Sequence, residues 1–204
     1  MPIWPELSSI LTMQEMAVLS IICRHPCYDT TTLRQEKDCM DLNALEARLT
    51  RMEDIQAICQ LKANYLLCCD RKDPEGMRAC FTEGEVVIDY GVVGCFTHRD
   101  QLVDVFERLG CHPHIIEMHH GVNPQIAILE PHLARASWGL HYQQIDTIKK
   151  TVTQLGAYYE DEYRKIEGQW KISKTRCNVM STKVVDIADG AAKVVFAGGP
   201  PVEG

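Results

Sequence analysis

The order of elements legible in this sequence predicts an α+β fold: a cone-shaped, curled antiparallel sheet (a half-barrel) packed on a long N-terminal helix and two shorter helices. Three observations carry the prediction. Apolar residues recur every three or four positions from Leu42 to Cys69, which is the period of one helix face. Beyond residue 115, long runs of β-branched, aromatic and alternating residues are punctuated at Glu130-Pro131 and Glu167-Gly168, the pattern of strands joined by hairpins. Helical and strand patterns are segregated along the chain rather than alternating, which favours α+β over a parallel βαβ arrangement. A sheet of this kind curls around the long helix to bury one face, and a curled half-barrel has a mouth.

The elements follow in order. Residues 1–40 carry scattered prolines, a Thr30-Thr31-Thr32 run and no sustained period. They read as an N-terminal extension without an assigned role, with a short helix over 13–22. Met40-Asp41 reads as the start of the folded part, and Asp41 is placed to cap the long helix. The stripe of that helix is Leu42, Leu45, Leu49, Met52, Ile55, Ile58, Leu61, Tyr65 and Cys69. Asp73-Pro74 supplies a cap and a first-turn proline for a second helix running to residue 81. Residues 85–90 form a strand with Val86, Ile88 and Tyr90 on one face. Thr97 and Asp100 resemble a capping box that opens a third helix, closed by Gly110. Strands then span 115–129, 133–145, 151–166 and 169–180. The domain is drawn at 41–183, and residues 184–204 form a C-terminal tail, an extension or a lid.

Composition narrows the function classes. A chain of 204 residues with 46% hydrophobic content supports one folded domain with appendages. The formal net charge is −7 and Lys and Arg are not clustered, so no nucleic-acid surface is expected. The ten cysteines show no C-x-x-C pairing and read as free thiols of a reducing compartment. The apolar run at 16–23 is too short to span a bilayer and lacks a basic flank or a cleavage site. The expected location is therefore the cytoplasm, with no membrane partner.

Three groups of residues could carry chemistry. Tyr65 and Asp70 share the end of the long helix, where a carboxylate opposes the helix dipole and needs another stabilising partner. His119 and His120 enter a strand side by side, so alternation turns one inward and the other outward without choosing between them. Adjacent strand histidines do not chelate one ion readily, and no metal is expected even with His112 and His114 nearby. If His119 meets Asp70, the carboxylate orients the imidazole as a general base. Tyr65 and Tyr90 would then donate to a leaving hydroxyl or a developing enolate. The third group is Trp138, His141 and Tyr142 on one strand with Trp170, Ile172 and Arg176 on another. Only one of His141 and Tyr142 can line the interior. Arg176 shares parity with Trp170 and Ile172 on the apolar face, where it either pairs with an acid or polarises a substrate oxygen.

Several motifs together resemble the SnoaL-like branch of the nuclear-transport-factor-like superfamily over roughly residues 41–181. They are the opening Leu45-Glu46-Ala47-Arg48 helix with Asp54-Ile55, Tyr65 with Asp70, and His119 with Asn123-Pro124. Gly156, Tyr158, Tyr159, Asp161 and Tyr163, then Ile166, Gly168, Trp170 and Ile172, complete the set. Within that branch the chain looks most like the bile-acid 7α-dehydratases, with hexachlorocyclohexane dehydrochlorinase and scytalone dehydratase more distant. It departs from the bile-acid enzymes at Tyr142, where they carry an acidic residue.

The resemblance implies an aspartate–histidine dyad at Asp70 and His119, with Tyr65 completing the catalytic group. Tyr90, Trp138, Tyr142 and Arg176 are expected to bind the substrate. The activity implied is a cofactor-free dehydratase or lyase acting on a small hydrophobic cyclic compound (steroid, terpenoid, polyketide or xenobiotic). An isomerase with the same dyad and a non-enzymatic ligand-binding module are the alternatives. Relatives imply a homo-oligomer, a dimer or a trimer.

Overall fold

The computed structural model describes residues 41–187. The expectations for 1–40, and for the tail beyond 187, lie outside the described residues. Helix α1 spans Leu42–Arg71 and begins directly after Asp41. Helix α2 is Pro74–Ala79, two residues shorter than the sequence predicts. Its cap is as expected: the Asp73 carboxylate accepts from the Gly76 N–H, with proline at the first turn. Strand β1 (Glu85–Asp89) and a short 3₁₀ turn (Gly91–Val93) lead to strand β2 (Cys95–His98). Helix α3 covers Arg99–Leu109. The long strands are β3 (Ile115–Glu130), β4 (Leu133–Asp146), β5 (Thr151–Ile166) and β6 (Gln169–Asp186).

All six strands form one sheet in the order β2-β1-β6-β5-β4-β3. Its larger part, β3 to β6, is the antiparallel meander that the hairpin signals predict. Glu167 and Gly168 both take positive φ, 50° and 80°, as the two-residue turn between β5 and β6 demands. One expectation is corrected: β1 joins β6 in parallel, so the sheet is mixed. A second correction concerns the third helix. Its N-cap is His98, which accepts from the Asp100 N–H, while the Gln101 side chain reaches back to the His98 N–H. The box is shifted one residue from Thr97 because β2 occupies the chain up to His98.

Bulges give the sheet its curl. Ser173 of β6 is an extra residue opposite the Glu162/Tyr163 step, Met180 is extra opposite Gly156/Ala157, and β3 is interrupted at Asn123-Pro124, where Asn123 has φ 51°. Each bulge bends its strand and increases twist. Gly121 allows β3 to come down onto α1: a Cβ there would lie 2.8 Å from Leu66 Cδ1. That close approach is two residues from His119.

The helix stripe is only partly the core stripe. Ile58, Tyr65, Leu66, Cys68 and Cys69 are buried under the sheet, whereas Leu42 (74% exposed), Leu45, Leu49 and Met52 (66%) are not. In place of a purely apolar face, α1 carries ionisable residues into the core at eight-residue intervals. Asp54 accepts from Trp170 Nε1 (2.9 Å) and Lys165 Nζ (2.7 Å); Lys62 pairs with Asp161; Asp70 meets His119. The described cysteines are free thiols. No helix among the described residues is long and apolar enough to cross a membrane.

Candidate active site

Asp70 and His119 are brought together by the end of α1 and the first turns of the β3 pleat. The Asp70 Oδ1 lies 2.6 Å from His119 Nδ1, and the same carboxylate accepts from the His119 backbone N–H at 3.0 and 3.2 Å. These donors supply the stabilisation that a carboxylate at a helix C-terminus lacks. They also fix the ring: with Nδ1–H given to Asp70, Nε2 carries the lone pair. Both side chains are 14% exposed, and the His119 ring lines a cavity of about 350 Å³. The alternation left open by the sequence is thereby decided. His119 faces in, while His120 stacks on its cross-strand neighbour His141.

The cavity lies between the inner face of the sheet and the helices. Its walls are mostly apolar, with Met77, Leu102 and Phe106 on the helical side and Leu140 and Leu155 on the sheet. Val92 and Val93, from the 3₁₀ turn, are exposed and also line it. Tyr65 and Tyr90 stand together there, their hydroxyls 2.6 Å apart. Burial pushes both phenols well above the ordinary tyrosine range, so they remain neutral hydroxyls through any physiological pH.

Tyr142 is the inward member of the His141/Tyr142 pair. It sits directly across from His119 on β4, with ring centroids 4.6 Å apart. Its hydroxyl donates to Glu117 Oε1 at 2.7 Å. Burial, reinforced by that carboxylate, drives the Tyr142 phenol far upward as well. Lys72, just past α1, closes an ion pair on the other Glu117 oxygen. Glu117 was not foreseen from the sequence, where an acid at a strand entry reads as surface. The signal was available: Glu117 shares the face of His119, two residues earlier on the strand.

Two of the expected binding residues lie elsewhere. Trp138 is 5% exposed and its Nε1 donates to the Tyr163 hydroxyl at 3.0 Å. It has the inward parity of Leu140 and Tyr142, but it stands deeper along β4, where Ala134 and Ala136 are packed shut. Alternation predicts face and not depth. Arg176 is half exposed, and its Nε donates to Asp89 Oδ2 at 2.9 Å. The extra residue Ser173 reverses the parity of β6, so Thr175 and Cys177 turn inward and Arg176 turns outward. Of its two expected roles, the structure supports the partner of an acid.

A larger groove of about 570 Å³ lies beside α2 and the β5–β6 turn. Its cations are paired with carboxylates or main-chain oxygens: Arg78 with Glu75 and Asp100, Arg99 with Glu83, and Lys171 with the Ala79 carbonyl. Arg99 Nε is buried there without a hydrogen-bond partner, but a guanidinium carries only donors and cannot take a proton as the His119 ring can.

A curled sheet wrapped on a long helix, with an apolar cavity at its mouth and polar groups converging inside, defines the nuclear-transport-factor-like class of α+β cones. Residues 50–176 match the SnoaL-like domain, and the chain belongs to that family. Solved structures agree in fold. A Novosphingobium aromaticivorans protein described as a candidate scytalone dehydratase is 22% identical, with a TM-score of 0.61 over 76% of this chain and 97% of its own. Hexachlorocyclohexane dehydrochlorinase LinA-type3 from Novosphingobium barchaimii is 15% identical, with a TM-score of 0.61 over 76% of this chain and 99% of its own. A candidate aromatic ring hydroxylase of N. aromaticivorans is 19% identical, with a TM-score of 0.58 over 69% and 98%. At such identities the likeness is one of fold, and the same cone carries different named chemistries. The resemblance to bile-acid 7α-dehydratases rests on sequence motifs alone.

Proposed function

We propose that the protein is a cofactor-free lyase of the dehydratase type, acting on a small hydrophobic cyclic substrate with a proton made acidic by a neighbouring carbonyl. One observation carries the reading: an imidazole locked by a partly buried carboxylate, with its other nitrogen unspent on a ring that lines an apolar cavity. His119 Nε2 takes the proton from the carbon next to the carbonyl. The electron pair moves to the carbonyl oxygen and then forms the carbon–carbon double bond as the C–O bond to the hydroxyl breaks. The departing oxygen recovers the proton from His119 and leaves as water, so the ring returns neutral without an outside reagent.

Asp70 faces the imidazolium while it exists, which lowers the energy of the charged intermediate state. The Tyr65–Tyr90 pair holds two hydroxyl hydrogens and needs one for its own contact; the other donates to the developing oxyanion. Proton transfer of this kind contributes about 10²–10⁴-fold to rate. The apolar walls exclude competing water and strengthen each of these interactions. Supporting the class, both the scytalone dehydratase candidate and the dehydrochlorinase are named for eliminations.

The test is a panel of cyclic β-hydroxy ketones and β,γ-unsaturated ketones followed by mass spectrometry. Loss of water from the first group supports a dehydratase. Turnover of the second group at constant mass would make the protein an isomerase using the same base. Wild-type turnover by His119→Ala would remove the dyad from the account.

A further inference from the structure

The hydrogen of Tyr142 has a direction that the mechanism above does not use. Its hydroxyl donates to Glu117, and a carboxylate accepts hydrogen bonds but cannot return one. Lys72 on the second oxygen holds Glu117 as one half of an ion pair. With its single hydrogen spent on Glu117 and the Gln144 side chain donating to its oxygen, Tyr142 keeps one lone pair for whatever occupies the cavity. Glu117 itself reaches the same cavity. Among the described residues, none of the side chains lining that space is Lys or Arg, and the one group there able to carry a positive charge, His119, already faces the Asp70 carboxylate, so an anionic ligand gains little compensation.

From this arrangement we infer that Tyr142 and Glu117, braced by Lys72, form a hydrogen-bond-accepting pole that selects an uncharged, hydroxyl-bearing alicyclic ligand and rejects carboxylates. The pole lies directly across the sheet from His119, so the hydroxyl it holds is set beside the base. The inference deepens the dehydratase reading and rests on it for the identity of the site, but its selectivity is a property of binding alone. A buried acceptor left unpaired by a ligand without a donor loses the stabilisation of a hydrogen bond. A cavity of about 350 Å³ stands at the small end of the range for ligand sites, which suits a bicyclic probe.

The experiment measures equilibrium binding of three decalin derivatives to the full chain by calorimetry. They are decalol, which donates a hydrogen bond, decalone, which only accepts one, and decalin carboxylate. Without a leaving group next to an activated C–H, none of them can be dehydrated, so the readout does not depend on turnover. Decalol is expected to bind about tenfold tighter than decalone, with the carboxylate weaker than both. Tyr142→Phe should bring the decalol-to-decalone ratio close to one. Glu117→Gln, whose amide can donate to the phenol oxygen and which removes the negative charge, should lower the ratio and improve carboxylate binding. Equal binding of decalol and decalone by the wild type, or a preference unchanged in Tyr142→Phe, overturns the inference. If Glu117→Gln does not fold, the Tyr142→Phe measurement decides alone. Failure of this selectivity leaves the dyad standing, and loss of the dyad proposal in the His119→Ala assay leaves the selectivity measurable.

Discussion

Of the three ionisable pairs that anchor α1 to the sheet, the last two are built to opposite ends. In one, Lys62 Nζ lies 2.8 Å from Asp161 Oδ2 and 3.5 Å from the centre of the Tyr159 ring, with side chains 1% and 0% exposed. Tyr163 and Thr175 each donate to Asp161 at 2.7 Å, and Trp138 donates to Tyr163. Both carboxylate oxygens are engaged, and neither residue lines the cavity or the groove described above. In the other, eight residues further along the same helix, Asp70 is held by the two N–H groups of His119, while the ring keeps one nitrogen in reserve beside open space. Burial and charge do not separate structure from function here. The presence of an unspent proton acceptor facing a cavity does.

The comparison breaks if the two pairs respond alike to mutation. His119→Ala should lower turnover by about 10²–10⁴-fold and leave a folded protein by circular dichroism, because the ring borders empty space. Asp161→Ala should act on stability instead, costing about 3–5 kcal/mol in urea unfolding by stranding the Lys62 ammonium in the core. A pH series sharpens the contrast. Burial raises the Tyr159 and Tyr163 phenols well above their ordinary value. The folded form therefore holds protons that the unfolded form releases above pH about 10. Their contribution is complete below that pH and is lost as pH rises through the folded values, about 1.4 kcal/mol per pH unit for each phenol. Denaturant midpoints should be insensitive to these groups near neutrality and fall in alkali.

Smaller effects test the two residues that the structure moves out of the site. Trp138→Phe removes the donor to Tyr163 and should cost about 1 kcal/mol of stability with KM unchanged. Arg176→Ala loses a half-exposed ion pair, worth within about 1 kcal/mol, and should leave both kcat and KM as they were. A large rise in KM for either variant would return that residue to the cavity wall.

Most of the frame was legible because its causes are local. Periodicity marked α1, hairpin chemistry marked the meander, and Asp73-Pro74 marked α2. The family motifs pointed to Asp70 and His119, and alternation limited the inward choice to His119 or His120. What escaped the sequence is non-local. Strand β2 is four residues long, too short for a periodic signal, and the parallel pairing of β1 with β6 depends on a crossover through the whole meander. Ser173 reverses parity without any residue type that announces a bulge, which misplaced Arg176. Depth along β4 misplaced Trp138. The exposed Leu42, Leu45, Leu49 and Met52 fit the helical period as well as the buried Ile58 and Tyr65 do, since a period reports a face and not what covers it.

The central claim, that His119 removes a proton from carbon inside the cavity, can be tested without knowing the natural substrate. Decalone incubated with the protein in deuterated buffer, followed by proton magnetic resonance, reports exchange next to the carbonyl with no elimination required. The account predicts deuterium uptake by the wild type, faster than in buffer and confined to one face of the ring, and its loss in His119→Ala. Uptake at the buffer rate, or equal uptake by the variant, would contradict it.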